Sequence, residues 1–91
     1  MSQGDRWRCD IFALIYRENR IGVNRHAVLV SRKNGPAVER VRIKRIYREV
    51  YKNSSLIPSA GIDILIRPFY GVHHEYARAL RRFEAWCETV G

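Results

Sequence analysis

Apolar side chains in the middle of the chain recur at the spacing of an amphipathic helix. The positions follow i, i+3, i+4 and i+7 and are occupied by Ile43, Ile46, Tyr47 and Val50. A helix of 3.6 residues per turn gathers such positions on one face, which then packs against a core. The sequence therefore predicts a helix that begins near Arg40 and ends before residues 53–55.

Two runs on either side of this helix predict strands. Residues 26–33 (HAVLVSRK) are rich in β-forming side chains and stop at Asn34-Gly35-Pro36, a strong turn signal. Residues 62–68 (IDILIRP) are mostly apolar, which is typical of a strand in the buried centre of a sheet. We therefore expect a small sheet in which residues 62–68 are central.

Two further helices are predicted near the ends of the chain. Residues 9–18 carry Phe12, Ile15 and Tyr16 at helical spacing behind Asp10, which suits an N-cap. The last helix is predicted over residues 72–90. Its expected inward side chains are Tyr76, Leu80, Phe83 and Cys87, and its expected outward side chains are Arg78, Arg81 and Arg82.

The element order α-β-α-β-α predicts an α/β (α+β) two-layer sandwich, a small sheet covered by helices. Residues 1–91 suffice for one domain, and a hydrophobic content of 46% excludes a disordered chain. No apolar run approaches a membrane span, and the first ten residues lack the apolar core of a signal peptide. We therefore expect a soluble, cytoplasmic protein without a membrane partner. Cys9 and Cys87 match no metal or redox spacing and are expected to be reduced thiols.

Positive charge is concentrated in residues 32–52, which hold eight Lys and Arg against two Glu, a net +6 of the formal +8. Four of these cations recur at every fourth position, roughly 120° from the apolar stripe: Arg40, Lys44, Arg48 and Lys52. Such a helix suits an extended polyanion rather than a small-molecule substrate, and a nucleic-acid backbone is the obvious candidate. A solvated charged face is the alternative.

The same segment closely resembles the signature of bacterial ribonuclease P protein subunits. The matching positions, in register without a gap, are Val30-Ser31-Arg32-Lys33, Gly35, Ala37-Val38, Arg40-Val41-Arg42, Lys44-Arg45 and Arg48-Glu49. Residues 10–20 look like the first helix of the family, residues 61–68 like the strand after the basic helix, and residues 76–86 like the closing helix. The resemblance implies a left-handed β-α-β crossover through the basic helix, although most such units are right-handed.

Two departures from the family pattern are visible. Val41 stands at the central Asn of an Arg-Asn-Arg motif, so this side chain neither donates nor accepts a hydrogen bond. The family places two strands between its first helix and the strand ending Val-Ser-Lys-Lys, whereas only residues 20–29 fill that space here. We therefore expect one strand to be missing or reduced to a stub at residues 20–23.

The resemblance implies a protein subunit that assists RNA-catalysed, Mg²⁺-dependent removal of the 5′ leader from precursor tRNA. The Mg²⁺ ions are expected to be held by the RNA partner, so no catalytic or metal-binding residue is predicted in this chain. The predicted contacts to the RNA subunit are Arg40, Arg42, Lys44, Arg45, Arg48 and Lys52. The predicted leader-binding residues are Phe12, Tyr16, Ser31, Arg32 and Lys33, and the first two suit a core equally well.

Three other functions stay open at the level of sequence. The chain is also suited to bind another structured RNA, such as rRNA, without a role in tRNA processing. A basic helix of this kind also docks on acidic proteins or membrane surfaces. A self-sufficient nuclease is disfavoured, because the carboxylates form no metal-binding pattern and adjacent His73 and His74 would point about 100° apart on a helix.

Overall fold

The computed structural model describes residues 4–54 and 61–90, which form a four-stranded sheet and two α-helices. The strands are β1 (Asp5–Arg8), β2 (Phe12–Glu18), β3 (Arg25–Val28) and β4 (Ile62–Pro68), and the helices are α1 (Ala37–Asn53) and α2 (Tyr76–Val90). Both helices pack on the same face of the sheet. The predicted α+β two-layer sandwich is confirmed, whereas the predicted element order α-β-α-β-α is wrong.

The sheet has the strand order β1-β2-β4-β3. β2 is antiparallel to both of its neighbours, while β3 runs parallel to β4. α1 connects this parallel pair, as a β-α-β unit requires. The prediction that residues 62–68 form a central strand is confirmed, and the hand of the crossover stays a prediction.

One hydrophobic core lies between the sheet and the helices. Alternate side chains of a strand face the same way, so Phe12 and Leu14 of β2 lie beside Ile64 and Ile66 of β4. The other buried apolar side chains are Ile11, Ile43, Tyr47, Val50, Ala79, Phe83, Trp86 and Cys87. The apolar stripe predicted for the basic helix therefore packs as expected, with Ile46 half-buried at its margin.

Residues 9–18 do not form the predicted helix, because most of them belong to strand β2. Aromatic side chains four positions apart share a face in a helix and also in a strand, whose side chains repeat every two residues. Long-range pairing decides between the two: β2 pairs with β1 over four residues and with β4 over seven. The segment is therefore an interior strand of the sheet.

The expectation that one strand is missing ahead of the strand at residues 26–33 is wrong, because two strands, β1 and β2, precede β3. The segment 20–23 is a bend between β2 and β3, so the predicted strand stub is wrong. Asn19 fixes this bend: its side-chain amide donates to the Val23 carbonyl and to the Asp63 carboxylate, both at 2.8 Å. Its Oδ1 accepts from the Ile21 N–H at 3.0 Å.

The segment predicted as a strand over residues 26–33 is strand only as far as Val28. A short 3₁₀ turn follows at Arg32–Asn34, and the Ser31 hydroxyl caps it by accepting from the Lys33 N–H at 3.3 Å. The Asn34 side chain accepts from the Ser31 N–H at 2.9 Å and closes the cap. The three polar residues 31–33 therefore follow the strand instead of ending it.

α1 is longer than predicted. It begins at Ala37, ahead of Arg40, and it ends at Asn53. The turn signal before it is confirmed, because Gly35 adopts a φ of 116°, a region that favours glycine. Pro36 then takes the N-cap position with a φ of −65°. The chain thus reverses immediately before the helix.

α2 is shorter than predicted, since it begins at Tyr76 and not at residue 72. Phe83 and Cys87 are buried as predicted, and Leu80 is half-buried. The predicted inward position of Tyr76 is wrong, because this residue is 38% exposed. Trp86 is fully buried, although the sequence assigned it no face.

Asp10 joins the turn between β1 and β2 to helix α2 and is not an N-cap. Its carboxylate accepts hydrogen bonds from Nε of Arg82 at 2.9 Å and from the Arg78 guanidinium. These bonds, with the one from Arg82 first, hold the pKa of Asp10 well below its usual range. Arg81 is exposed as predicted, whereas Arg78 and Arg82 are tied to this carboxylate.

Candidate nucleic-acid interface

The predicted row of cations lies along one flank of α1. We call this row, Arg40, Lys44, Arg48 and Lys52, the cationic ridge. Because α1 packs through its apolar stripe, the ridge stays at the surface: Arg48 and Lys52 are exposed, and Arg40 and Lys44 are half-buried. The exposed end of the ridge faces β3 across a groove of about 620 Å³. The ridge therefore borders the edge of the sheet.

Much of the positive charge on α1 is not neutralised within the protein. In residues 4–54 and 61–90, no hydrogen bond or ion pair engages Lys44, Arg45, Arg48 or Lys52. Arginine guanidinium groups make paired hydrogen bonds to phosphate, and lysine ammonium groups act as point charges. Arg40 differs, because its Nε is buried without a hydrogen-bond partner in the described part of the chain. The four unpaired cations are available to an external anion.

Arg42 has internal partners on both sides of its guanidinium group. It donates to the Glu39 carboxylate at 2.9 Å and to the His74 carbonyl at 2.7 Å. The second bond joins α1 to the segment that precedes α2. Its predicted role in RNA binding stays a prediction, and the geometry adds a structural role that the sequence did not indicate.

Val41 lies at the surface, and its side chain is 57% exposed. With Val38, which is 83% exposed, it lines a groove of about 620 Å³ between α1 and α2. Arg42, Arg45 and Tyr76 also line this groove. The position of the missing motif Asn is therefore exposed to solvent, but it offers a partner only an apolar surface.

The two aromatic residues predicted to face the leader point into the core. Phe12 has no exposed surface, and its ring packs edge-on against Tyr47 with 5.4 Å between ring centres. Tyr16 is half-buried and packs edge-on against Trp86 at 5.1 Å. The prediction that Phe12 contacts an RNA base is therefore wrong for this structure. For Tyr16, the contacts are those of a core residue.

The polar residues predicted to bind the leader lie elsewhere, at the 3₁₀ turn. Ser31, Arg32 and Lys33 are exposed there. Nζ of Lys33 lies 5.2 Å from the ring centre of Tyr70, which is itself 59% exposed. A cation held over an exposed aromatic ring provides both charge and a flat apolar surface to a nucleotide.

A second basic surface lies on the side of the sheet that the helices leave uncovered. Its side chains are Arg6, Arg8, Ala13, Ile15, Arg17, Arg25, Ala27, Asp63, Leu65 and Arg67, which share one face by strand alternation. We call this surface the open face. Arg8 lies 5.3 Å from the ring centre of Phe69 at its border. The adjoining groove, of about 410 Å³, is lined by Arg67, Phe69, Tyr70, Ser31 and Lys33.

The open face carries an excess of positive charge. Arg25 neutralises Asp63 through two hydrogen bonds of 2.8 Å, and this pairing, with the Asn19 amide next, holds the pKa of Asp63 well below its usual range. The other arginines of the open face have no ion pair with a described residue. This surface was not predicted from the sequence. A period of two in residues 12–18, with Ala13, Ile15 and Arg17 on the second face, was the signal available.

The paired histidines do not converge on a common site. His74 is 1% exposed, and burial lowers its pKa, whereas His73 is exposed beside Glu75 at 3.4 Å. Over residues 4–54 and 61–90, no cluster of three or more His, Cys, Asp or Glu side chains is placed to hold a metal ion. In the same part of the chain, neither helix is long and apolar enough to cross a membrane.

A two-layer α+β domain with one basic surface on its helix layer and another on its bare sheet belongs to the class of small RNA-binding proteins. The family profile described as "Ribonuclease P" matches residues 1–90. A "Ribonuclease P protein component" of Thermotoga petrophila is 27% identical over 90% of this chain and 80% of its own length. One of Petrotoga mobilis is 39% identical over 72% of this chain and 56% of its own length. The solved RNase P protein of Thermotoga maritima, 23% identical, superimposes over 98% of this chain and 86% of that one with a TM-score of 0.84.

The chain belongs to the ribonuclease P protein family. Its role is that of the protein component of this ribonucleoprotein endoribonuclease, which supports catalysis by the RNA subunit. The likeness to the Thermotoga maritima structure concerns the fold. The resemblance in residues 30–51 and the fold therefore lead to the same family.

Proposed function

We propose that this protein uses its two basic surfaces for two different RNAs: the cationic ridge with Arg45 for the RNA subunit, and the open face for the single-stranded 5′ leader of precursor tRNA. The observation that carries the proposal is their separation, since one surface belongs to the helix layer and the other to the bare side of the sheet. The RNA subunit would then perform the hydrolysis in the cytoplasm.

The ridge is suited to a structured RNA backbone. From Arg40 to Lys52 it extends along about 18 Å of helix, with a cation at every turn. The side chains that would contact phosphate are Lys44, Arg45, Arg48 and Lys52, whose charges are unpaired within the described protein. Counterion release from the RNA then supplies most of the binding free energy, and affinity falls steeply with salt.

The open face is suited to a single strand. It offers arginines to successive phosphates, apolar positions such as Ala13 and Leu65 between them, and the rings of Phe69 and Tyr70 at one end. Single-stranded RNA is commonly bound by aromatic stacking within a cationic groove. Ser31 and Lys33 border the same groove and keep their proposed contact with the leader, whereas Phe12 has no part in it.

The protein contributes electrostatics, while the Mg²⁺ ions that the reaction requires would be bound by the RNA subunit. Cations on both faces reduce the repulsion between the RNA subunit and the precursor tRNA. A lower concentration of Mg²⁺ then suffices for the same reaction, because part of the counterion requirement is supplied by arginine and lysine side chains.

Reconstitution with the ribonuclease P RNA subunit tests the proposal. The protein is expected to stimulate cleavage of precursor tRNA at low Mg²⁺. The double variant Arg45→Glu with Arg48→Glu is expected to weaken RNA-subunit binding by more than about tenfold. Arg81→Glu, on the exposed side of α2, is the matched control. Absence of stimulation, or equal protection of rRNA fragments, would contradict the proposal, and so would cleavage without any RNA subunit.

A further inference from the structure

The groove between β3 and α1 contains an aromatic pair that none of the functions described so far uses. The rings of His26 and Tyr51 are stacked, with 3.8 Å between their centres and 15° between their planes. Tyr51 in turn packs edge-on against Phe83 at 6.3 Å, which anchors the pair to the core. His26 is exposed, so Tyr51 covers one face of its ring and the other face is accessible.

The backbone fixes the orientation of this pair. His26 lies on edge strand β3, where it pairs with Ile64 of β4 and points to the helix side of the sheet. Tyr51 follows Val50 of α1 at the margin of the apolar stripe that faces β3. Both residues are therefore held by regular secondary structure, and an incoming flat ligand meets a surface that is already formed.

The charges around the pair favour an anionic ligand. Arg48 and Lys52, the exposed end of the cationic ridge, line the same groove, and Glu49 adds one negative charge. Partial burial of the ring, with Arg48 contributing, lowers the pKa of His26 and so favours the neutral ring, which offers a stacking surface more than a charge. A flat neutral surface beside two cations matches a nucleotide, whose base stacks while its phosphate is neutralised.

We propose that His26, backed by Tyr51, is a stacking platform for an unpaired base of the RNA that lies along the cationic ridge. The proposal rests on the proposed function, because it deepens the description of the same RNA-binding surface. The platform anchors one base at the end of the ridge nearest the edge of the sheet. Such a base belongs to a bulge, loop or single-stranded end, since bases in a regular duplex are already stacked on each other.

The matched variants His26→Ala and His26→Phe test the platform. Loss of the ring is expected to weaken binding of the RNA subunit by roughly 5- to 150-fold, the range for one stacked base, whereas Phe keeps the flat surface and stays within about twofold of the native affinity. The salt dependence should not change in either variant, because no charge is removed. His73→Ala, at an exposed histidine outside the groove, is the control.

Mapping which nucleotides the protein protects identifies the stacked base. The RNA subunit and the precursor tRNA are mapped separately. One unpaired nucleotide of the RNA subunit is expected to lose protection with His26→Ala and to keep it with His26→Phe. Such a change in the precursor tRNA alone would overturn the assignment of the base to the RNA subunit. Equal affinities of the Ala variant and the native protein, or equal losses in both variants, would overturn the platform. A loss of binding to poly-glutamate as large as the loss of RNA binding would overturn it too, in favour of an acidic protein partner. If no form binds the RNA subunit, the proposed function fails, and the same comparison on single-stranded oligoadenylate decides the platform alone.

Discussion

The Tyr47 hydroxyl and Nδ1 of His74 lie 2.8 Å apart in the core, so the basic helix and the segment before α2 share a buried hydrogen bond. The other ring nitrogen of His74 lies 2.8 Å from the Phe69 carbonyl oxygen. A carbonyl only accepts, so Nε2 of His74 carries the proton and donates, and Nδ1 of the neutral ring accepts from Tyr47. Arg42 adds its bond to the His74 carbonyl, so two hydrogen bonds tie α1 to the segment before α2.

Stability is expected to depend on pH through His74. Burial holds its folded-state pKa below the unfolded value of about 6.5, so the unfolded chain binds more protons in the window below pH 6.5. The stabilisation by neutral His74 is complete above the unfolded-state pKa and is lost as the pH falls from there through the folded-state pKa. The free energy of unfolding, measured with urea at several pH values, should have a smaller slope against pH for His74→Gln than for the native protein, with His73→Gln as control. An unchanged slope against pH would remove His74 as the cause. His26, whose pKa is also lowered, accounts for part of the slope that remains.

Substitutions of Arg42 and Arg45 are expected to differ in their effects: the first lowers folding stability, and the second affects RNA binding only. Arg42→Ala removes the bonds to Glu39 and to the His74 carbonyl and should lower the free energy of unfolding by about 1 kcal/mol, a value reduced by its partial exposure. Arg45→Ala should leave unfolding unchanged and weaken RNA binding only. Thermal unfolding and RNA titration of both variants provide the comparison. If Arg42→Ala is as stable as Arg45→Ala, the two hydrogen bonds of Arg42 contribute nothing measurable to stability.

Arg67 is expected to contribute to recognition of the leader. It is exposed on the open face, pairs with Ala13 across the sheet and borders the groove with Phe69 and Tyr70. Arg67→Glu should reduce the preference for precursor tRNA over tRNA without a leader, and the salt slope should fall by about 0.7 for each phosphate that the variant no longer neutralises. Arg81→Glu should change neither quantity. If Arg67→Glu keeps the full preference for precursor tRNA, the leader does not bind at this part of the open face.

Phe12 is expected to affect stability and not leader binding. Its ring is fully buried between Trp7 and Tyr47, so Phe12→Ala leaves a cavity and should lower the free energy of unfolding by about 3–5 kcal/mol. Phe12→Leu, which fills more of the space, should cost less. Leader preference, measured where each variant is folded, should equal that of the native protein. A selective loss of that preference would restore the base-stacking role that the sequence suggested.

The basic helix was predictable because its determinants are local. The apolar stripe from Ile43 to Val50 and the cations between its members fit only the helical period of 3.6 residues. The turn before it was equally clear, since Gly35 and Pro36 each restrict the backbone in a known way. Strand β2 was not predictable on the same grounds. Phe12 and Tyr16 fit both periodicities, and pairing with β4, more than forty positions away, makes the choice.

The surfaces were harder to predict than the elements. The open face assembles arginines from four strands, so it exists only once the strand order is known. His26 and Tyr51 meet because β3 and α1 pack side by side, and nothing in either segment alone indicates the contact. Arg42 looked like its basic neighbours in the sequence. Its attachment to the His74 carbonyl depends on how the two helices are placed.

The layer of core between the two basic surfaces also acts as a spacer. Even the thinnest dimension of the molecule is 20 Å, more than twice the screening length of about 8 Å at physiological ionic strength. Two RNA backbones on opposite layers, each partly neutralised by the cations of its own surface, would therefore hardly repel each other in the cell. At about 0.01 M salt the screening length grows to roughly 30 Å, and each RNA would then weaken the binding of the other.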